Sequence, residues 1–313
     1  MKTTWRLKSR ITHLKSPFLL AACLILAALG PPATELARAS QGRGSPPELL
    51  VGAAATYAML RQFPVAIKLY DRALDVIPND PELIALKAAM YQAEGNLQEA
   101  AKLLIDVNER TTSGLAFETK LNQLRLERNH AEAIRLVQAR RAQVPSAFED
   151  EIGTFSPAAA AKILYMFHLA FAQRLVGDMA GAKVTAKQAR NASEAASKEQ
   201  PDSPDHQIQL ALADAVLGER DSALGEAERA NMLSRRPEDQ ENGPAYEDIL
   251  ALIQTVLGEN TRAISALTHL LQTPDQSYFY DTPVTPALLR LDPLWDPLRA
   301  DPAFQKLCEE KQK

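Results

Sequence analysis

Small and large apolar residues recur along this chain at helical spacing and in a fixed register. Ala66, Ala100 and Ala133 lie 34 and 33 residues apart, and each begins the same apolar pattern. Between 47 and 80, Leu50, Ala53, Ala54 and Tyr57 fall on one helical face, Ala66, Tyr70 and Ala73 repeat the arrangement, and Pro78 closes the unit. Apolar positions three and four apart mark the buried face of an amphipathic helix. Two such helices per period, ended by a helix breaker, predict a helical hairpin that buries its face only by stacking on copies of itself.

A second set follows with a longer period. Gly177, Gly218 and Gly258 each stand five residues before an alanine, Ala182, Ala223 and Ala263, which are 41 and 40 residues apart. Glycine there fits a tight inter-helix turn at φ > 0, a conformation open to it because it lacks Cβ. Upstream, Leu169/Ala170, Leu210/Ala211 and Leu250/Ala251 give each first helix its large and small pair. The extra residues are expected in the loops KEQPDSPD and RPEDQENGP, polar and interrupted by proline.

The first unit resembles the tetratricopeptide repeat. Residues 81 to 114 place Ile84, Ala88, Tyr91, Ala100, Leu104 and Val107 on the same columns, with Thr112 where the proline should be. The third unit keeps Leu124, Ala133, Val137 and Pro145, while Arg140 replaces a small residue. The resemblance implies an all-α, tetratricopeptide-like α-solenoid of about six helix pairs wound as a right-handed superhelix. It also implies that the first helices line a concave groove. The groove positions map to Glu118, Asn122 and Arg125 in the third unit and to Phe167, Phe171 and Arg174 in the fourth. Where relatives that grip a terminal carboxylate carry Lys and Asn, this chain has Val51, Ala55, Ala85 and Ala89. The partner expected at Asn122, Arg125, Phe167, Phe171 and Arg174 is instead a helix or extended peptide with apolar anchors and an acidic flank. Packing of Phe167 and Phe171 against the interrepeat break 146–157 is the alternative.

The last stretch, TPALLRLDPLWDPLRADPAFQKLC, resembles the closing element of many bacterial tetratricopeptide proteins. Asp292-Pro293, Asp296-Pro297 and Asp301-Pro302 each join an N-cap residue to a proline suited to the first helical position. Short helical turns are expected there, packing Leu291, Trp295, Leu298 and Phe304 onto the final repeat as a cap.

The N-terminus reads differently. Lys2, Arg6, Lys8, Arg10 and Lys15 lead into the apolar run Phe18 to Leu29, then Gly30-Pro31-Pro32 and the small-x-small sequence Ala37-Arg38-Ala39. That order predicts an export signal cleaved after Ala39. Twelve apolar residues rise only about 18 Å as a helix against a hydrocarbon core of roughly 30 Å. Retention of 18–29 as a membrane anchor, or lipidation at Cys23 in the box-like Leu20-Ala21-Ala22-Cys23, are the alternatives. Residues 1–39 hold six of the 35 Lys and Arg and one of the 39 Asp and Glu, leaving 29 basic and 38 acidic residues, a net charge of about −9. Such a body does not attract nucleic acid or anionic lipid through bulk charge. Cys308 alone would remain, so no internal disulfide is expected.

Candidate chemistry is sparse. Gly42-Arg43-Gly44 lacks the lysine of a phosphate loop. His130, His168, His206 and His269 are scattered, with His206 expected in a loop, and no pair has metal-ligand spacing. Glu149-Asp150-Glu151 reads as a solvated loop face, and Asn191-Ala192-Ser193 matches a glycosylation acceptor. The chain thus divides into a signal (1–39), a linker (40–46), repeats one to three (47–145), a break (146–157), repeats four to six (158–275) and a capping segment (276–313). The expected function is a non-enzymatic, exported protein-interaction scaffold with no cofactor or metal. An envelope enzyme acting on glycans is the alternative, and it would need two of Glu118, Asp205 and Asp248 to converge in a cleft.

Overall fold

The register alanines explain the architecture. A computed structural model of the protein describes residues 46–143, 157–234, 243–274 and 277–309. Among these it has fourteen α-helices, one 3-10 helix and no strand. Twelve of the helices form six consecutive hairpins: α1 (Pro47–Met59) with α2 (Phe63–Val76), α3 (Pro81–Glu94) with α4 (Leu97–Leu103), α5 (Gly114–Leu126) with α6 (His130–Gln143), α7 (Pro157–Leu175) with α8 (Met179–Glu199), α9 (Pro204–Leu217) with α10 (Arg220–Leu233), and α11 (Gly243–Val256) with α12 (Asn260–Leu270). Ala66, Ala100, Ala182, Ala223 and Ala263 are 0% exposed and Ala133 is 6% exposed. A methyl side chain at that point of the second helix lets the two backbones approach closely, and the buried Leu169/Ala170, Leu210/Ala211 and Leu250/Ala251 pairs fill the opposite helices. The described residues up to Pro78 and those from Asn79 onward form separate compact units, the first built on the α1/α2 hairpin and the second on the other five.

One turn geometry serves all six hairpins and unites the two sets. The residue five before each register alanine is left-handed: Arg61 (φ 56°), Gly95 (81°), Arg128 (59°), Gly177 (83°), Gly218 (91°) and Gly258 (80°). Its N–H turns back to the helix just ended, and the next N–H reaches one residue deeper, as in Asn96 N–H to Tyr91 O (2.8 Å), Glu219 to Asp214 (2.9 Å) and Asn129 to Leu124 (2.8 Å). These bonds satisfy carbonyls that the helix end would otherwise leave open. Side-chain caps start several helices: Asp80 accepts from the Glu82 and Leu83 amides, Ser113 from Ala116 and Asp178 from Gly181.

Several local expectations change. The longer period of the fourth hairpin is taken up by the helices, not by a loop. Lys198 and Glu199 lie in α8, Pro204 and Asp205 open α9, and only 200–203 is non-helical. His206, expected in a loop, is therefore inside α9 and 0% exposed, because Pro204 occupies the first helical position and starts the helix. Arg140 is not a misfit: its guanidinium stacks on Phe117 (4.2 Å) and Tyr165 (5.3 Å) and donates to Thr111 O at 2.7 Å. Ser193 of the glycosylation pattern is buried in α8 and donates to Ala189 O. The signal (1–39), nearly all of the linker (40–46), the acidic run Glu149–Glu151 and nearly all of the break (146–157) lie outside the described residues. Among the described residues no helix is long and apolar enough to cross a membrane.

After α12 the chain forms an irregular segment, then α13 (Pro286–Leu291), the 3-10 helix Pro293–Leu298 and α14 (Pro302–Glu309). Asp292 and Asp301 cap as expected, accepting from the Leu294 and Ala303 amides. Asp296-Pro297 starts no helix. Pro297 falls inside the 3-10 helix, and Asp296 instead holds both Arg128 guanidinium nitrogens at 2.7 Å. Trp295 and Phe304 are buried, and α14 and the 3-10 helix touch α12, so the tail covers the last hairpin. It does more than cap, because α13 packs on α3 of the second hairpin and the 3-10 helix on α7 and α11.

A clean test of the turn is Gly218, since a Cβ there would meet nothing within 4 Å. Gly218→Ala should cost about 1–2 kcal/mol through left-handed backbone strain alone. A chemical denaturation midpoint unchanged from wild type would contradict this.

Candidate partner-binding groove

Asn122 and Arg125 lie one turn apart on α5, Phe167 and Phe171 one turn apart on α7, and Asp248 on α11. These first helices turn their inner faces to the segment 277–285. Asn122 is 3% exposed and its Nδ2 donates to Phe279 O at 2.6 Å. Phe279 meets Phe171 edge to face at 6.3 Å and His168 at 6.5 Å. The Arg125 guanidinium sits 5.8 Å from the Phe279 ring and 5.3 Å from that of Tyr280, and its Nε donates to Asp292 Oδ2 at 2.9 Å. Tyr280 donates its hydroxyl to the same Asp292 oxygen, and Ser277 donates to Asp248. Tyr278 is reached by Gln209 Nε2, and Thr285 donates to Ala93 O at 2.7 Å. At Gly95 the tail comes so near that a Cβ would stand 3.3 Å from that of Ala287.

The electrostatics follow from burial. Removal from water would by itself weaken the Arg125 charge, but Asp292 and Tyr280 more than offset it and its pKa rises. His168 is pushed down to about 3, first by burial and then by Arg125, so it is a neutral imidazole here. Burial pushes the Asp248 carboxyl up to about 6, against the opposing bonds from Ser277 and the Tyr278 backbone. Burial also drives the Tyr278 and Tyr280 hydroxyls upward. Asn122 Oδ1 and Arg125 Nη2 are buried and have no hydrogen-bond partner among the described residues. Arg125 and His168 also line a small cavity with Leu121, His130, Ala133 and Ala172.

Of the five groove residues expected from the chain, Asn122, Arg125 and Phe171 converge on one stretch of polypeptide, the protein's own. Phe167 is fully buried in α7, and Phe171 meets Phe279 of the tail. Arg174 is half-buried on the last turn of α7; its backbone carbonyl accepts from the Gly177 amide, and its side chain has no hydrogen bond or ion pair among the described residues. In place of the terminal-carboxylate grip, Ala85 and Ala89 are buried on α3. Asp205 accepts from the Tyr246 hydroxyl at 2.9 Å, Asp248 accepts from the Ser277 hydroxyl and the Tyr278 backbone, and both Asp205 and Glu118 act electrostatically on the buried Tyr278. Asp292 had signalled only a helix cap. No group of three metal-ligating side chains occurs among the described residues.

Six hairpins with a shared left-handed turn and buried small residues at one register decide the architecture. The fold is a tetratricopeptide-like α-solenoid. No protein-family model and no curated protein matches the chain. Among solved structures, it is similar to the crystal structure of a thermophilic TPR protein in Thermus thermophilus, at 18% identity and a TM-score of 0.34, covering 73% of this chain and 91% of that one. In this tetratricopeptide-like array the groove side is filled by a segment that follows the last repeat.

Two outcomes test the site. Asp292→Ala should destabilise by about 3–5 kcal/mol, because Arg125 is left buried and uncompensated, and Arg125→Met/Asp292→Ala should cost less than the two single changes summed. Strict additivity in denaturation would show that the pair is not coupled. For Asp248, the raised carboxyl pKa means that the folded state holds a proton the unfolded chain releases. Its stabilising effect is complete below about pH 4 and is lost as pH rises through about 6. Asp248→Asn should therefore be more stable than wild type near about pH 7, with the advantage vanishing below about pH 4. An advantage independent of pH would refute the assignment.

Proposed function

We propose that this protein is a non-catalytic interaction scaffold, exported to the cell envelope, whose groove binds a partner peptide or helix. The observation that carries the reading is how the groove treats a polypeptide already in it. Asn122 reads a main-chain carbonyl, Phe171 and His168 form an aromatic pocket, and Arg125 spans two rings and a carboxylate. Main-chain hydrogen bonds supply affinity in peptide recognition, and pockets for side chains supply selectivity. Stacked hairpins present such a surface as a property of the array. Asn122, Arg125, Phe171 and Arg174 form the proposed contact set, with Phe167 fully buried in α7 and Arg174 meeting an acidic residue of the partner.

Export is supported by the basic lead, the apolar run 18–29 and Ala37-Arg38-Ala39. The acidic body argues against nucleic acid as partner. Membrane attachment requires retention of 18–29 or lipidation at Cys23.

N-terminal sequencing of envelope-fraction protein should return Ser40-Gln41-Gly42; recovery of Phe18 to Leu29 would replace export with anchoring. Affinity capture from the same fraction should recover a protein whose yield falls several-fold with Arg174→Glu and with Asn122→Ala. A partner retained equally by both variants, or capture of glycan alone, would remove the groove from the reading.

A further inference from the structure

The segment 277–285 has neither helix nor strand, yet it lies against Asn122, Arg125, His168 and Phe171. Its attachment is separable from that of its flanks. Downstream, Thr285 holds Ala93 O, and Asp292 keeps both Arg125 and the Leu294 amide as partners if Tyr280 departs. Internally the segment closes on itself, Ser277 N–H donating to Thr282 O and Phe279 N–H to Ser277 Oγ. Nothing in α13, the 3-10 helix or α14 depends on those two bonds.

Its fit is incomplete. Asn122 donates to the Phe279 carbonyl, but Asn122 Oδ1 receives no N–H in return, and Arg125 Nη2 meets no acceptor among the described residues. A side-chain amide facing an extended main chain can use both its donor and its acceptor. The groove therefore carries buried polar capacity that the internal segment does not use, and a buried unpaired polar group is unfavourable.

We propose that Ser277–Val284 is a displaceable internal occupant of the groove. The partner that replaces it is a peptide segment with two adjacent aromatic residues followed by an acidic one. This rests on the scaffold reading above. The aromatic pair takes the places of Phe279 and Tyr280 against Phe171, His168 and the Arg125 guanidinium. A main-chain N–H supplies Asn122 Oδ1, a carbonyl or carboxylate supplies Arg125 Nη2, and the acidic residue reaches Arg174. The internal segment sets the threshold for binding, since the apparent affinity of a partner is its intrinsic affinity multiplied by the fraction of molecules in which the groove is open.

Amide hydrogen exchange on the wild-type chain tests displacement directly. The amides from Tyr278 to Thr282 should exchange at least about tenfold faster than those inside α11 and α13, as a locally opening unit. Protection equal to those helices would overturn the proposal. A labelled peptide of residues 277–285, SYFYDTPVT, tests the pocket by fluorescence anisotropy on the full chain. Phe279→Ala/Tyr280→Ala should bind it at least about tenfold tighter than wild type, and adding Asn122→Ala should remove the gain. Unchanged affinity with helicity retained would overturn the pocket, and if that variant does not fold, the wild-type exchange pattern decides. Failure here leaves the capture experiment free to place a partner elsewhere on the array, whereas failed capture leaves the exchange result standing.

Discussion

The buried pair of Arg125 and Asp292 is the contact on which the arrangement of the second unit turns. Both side chains are nearly removed from water, at 8% and 0% exposure. Asp292 accepts from Arg125, the Tyr280 hydroxyl and the Leu294 amide, whereas Arg125 lies against the Phe279 and Tyr280 rings and keeps its buried Nη2 without a partner among the described residues. Such a pair adds little net stability compared with apolar residues, but either partner alone is strongly unfavourable. It therefore selects one placement of the tail on α5 and penalises others. Once that is set, Phe279 falls against Phe171 and α13 against α3.

Around this contact the repeats provide a rigid frame with one recurring backbone device. The left-handed residue before each second helix is glycine in four hairpins and arginine in two. A side chain in this conformation is strained, and at Arg128 the position has a compensating use, since its guanidinium grips Asp296 of the tail. The third hairpin thus holds the tail twice, through Arg125 at the helix end and through Arg128 in the turn.

A groove that already holds polypeptide bears on both functional classes. For catalysis the acidic side chains would have to converge in an accessible cleft, and Asp205 and Asp248 each hold another side chain of the protein. For the proposed binding role, the inner helices meet a main-chain carbonyl, aromatic rings and a carboxylate of the tail, each with a named side chain. Burial raises the Asp248 carboxyl, whereas the Ser277 hydroxyl that donates to it favours the ionised form.

Whatever repeats locally was legible in the chain. The all-α class, the six hairpins, the register alanines and the positive φ of Gly177, Gly218 and Gly258 follow from helical period and from the absence of a Cβ, both properties of short windows. Where local signals competed, the helix won over the loop: in KEQPDSPD, Pro204 starts α9 rather than breaking it, and His206 is buried as a result. Contacts between distant parts of the chain leave no such trace. Asn122, Arg125 and Phe171 could be assigned to first helices from their positions in the repeat, but their partners lie beyond the last repeat. Asp292 reads as a helix cap because its neighbour is a proline, and its second role, 167 residues from Arg125, exists only once the tail crosses the array. The sequence determined the repeating unit, because hydrogen bonds and small-residue packing act between near neighbours. Tertiary structure decided what fills the groove, because burying two charges together requires segments that only the folded chain brings into contact.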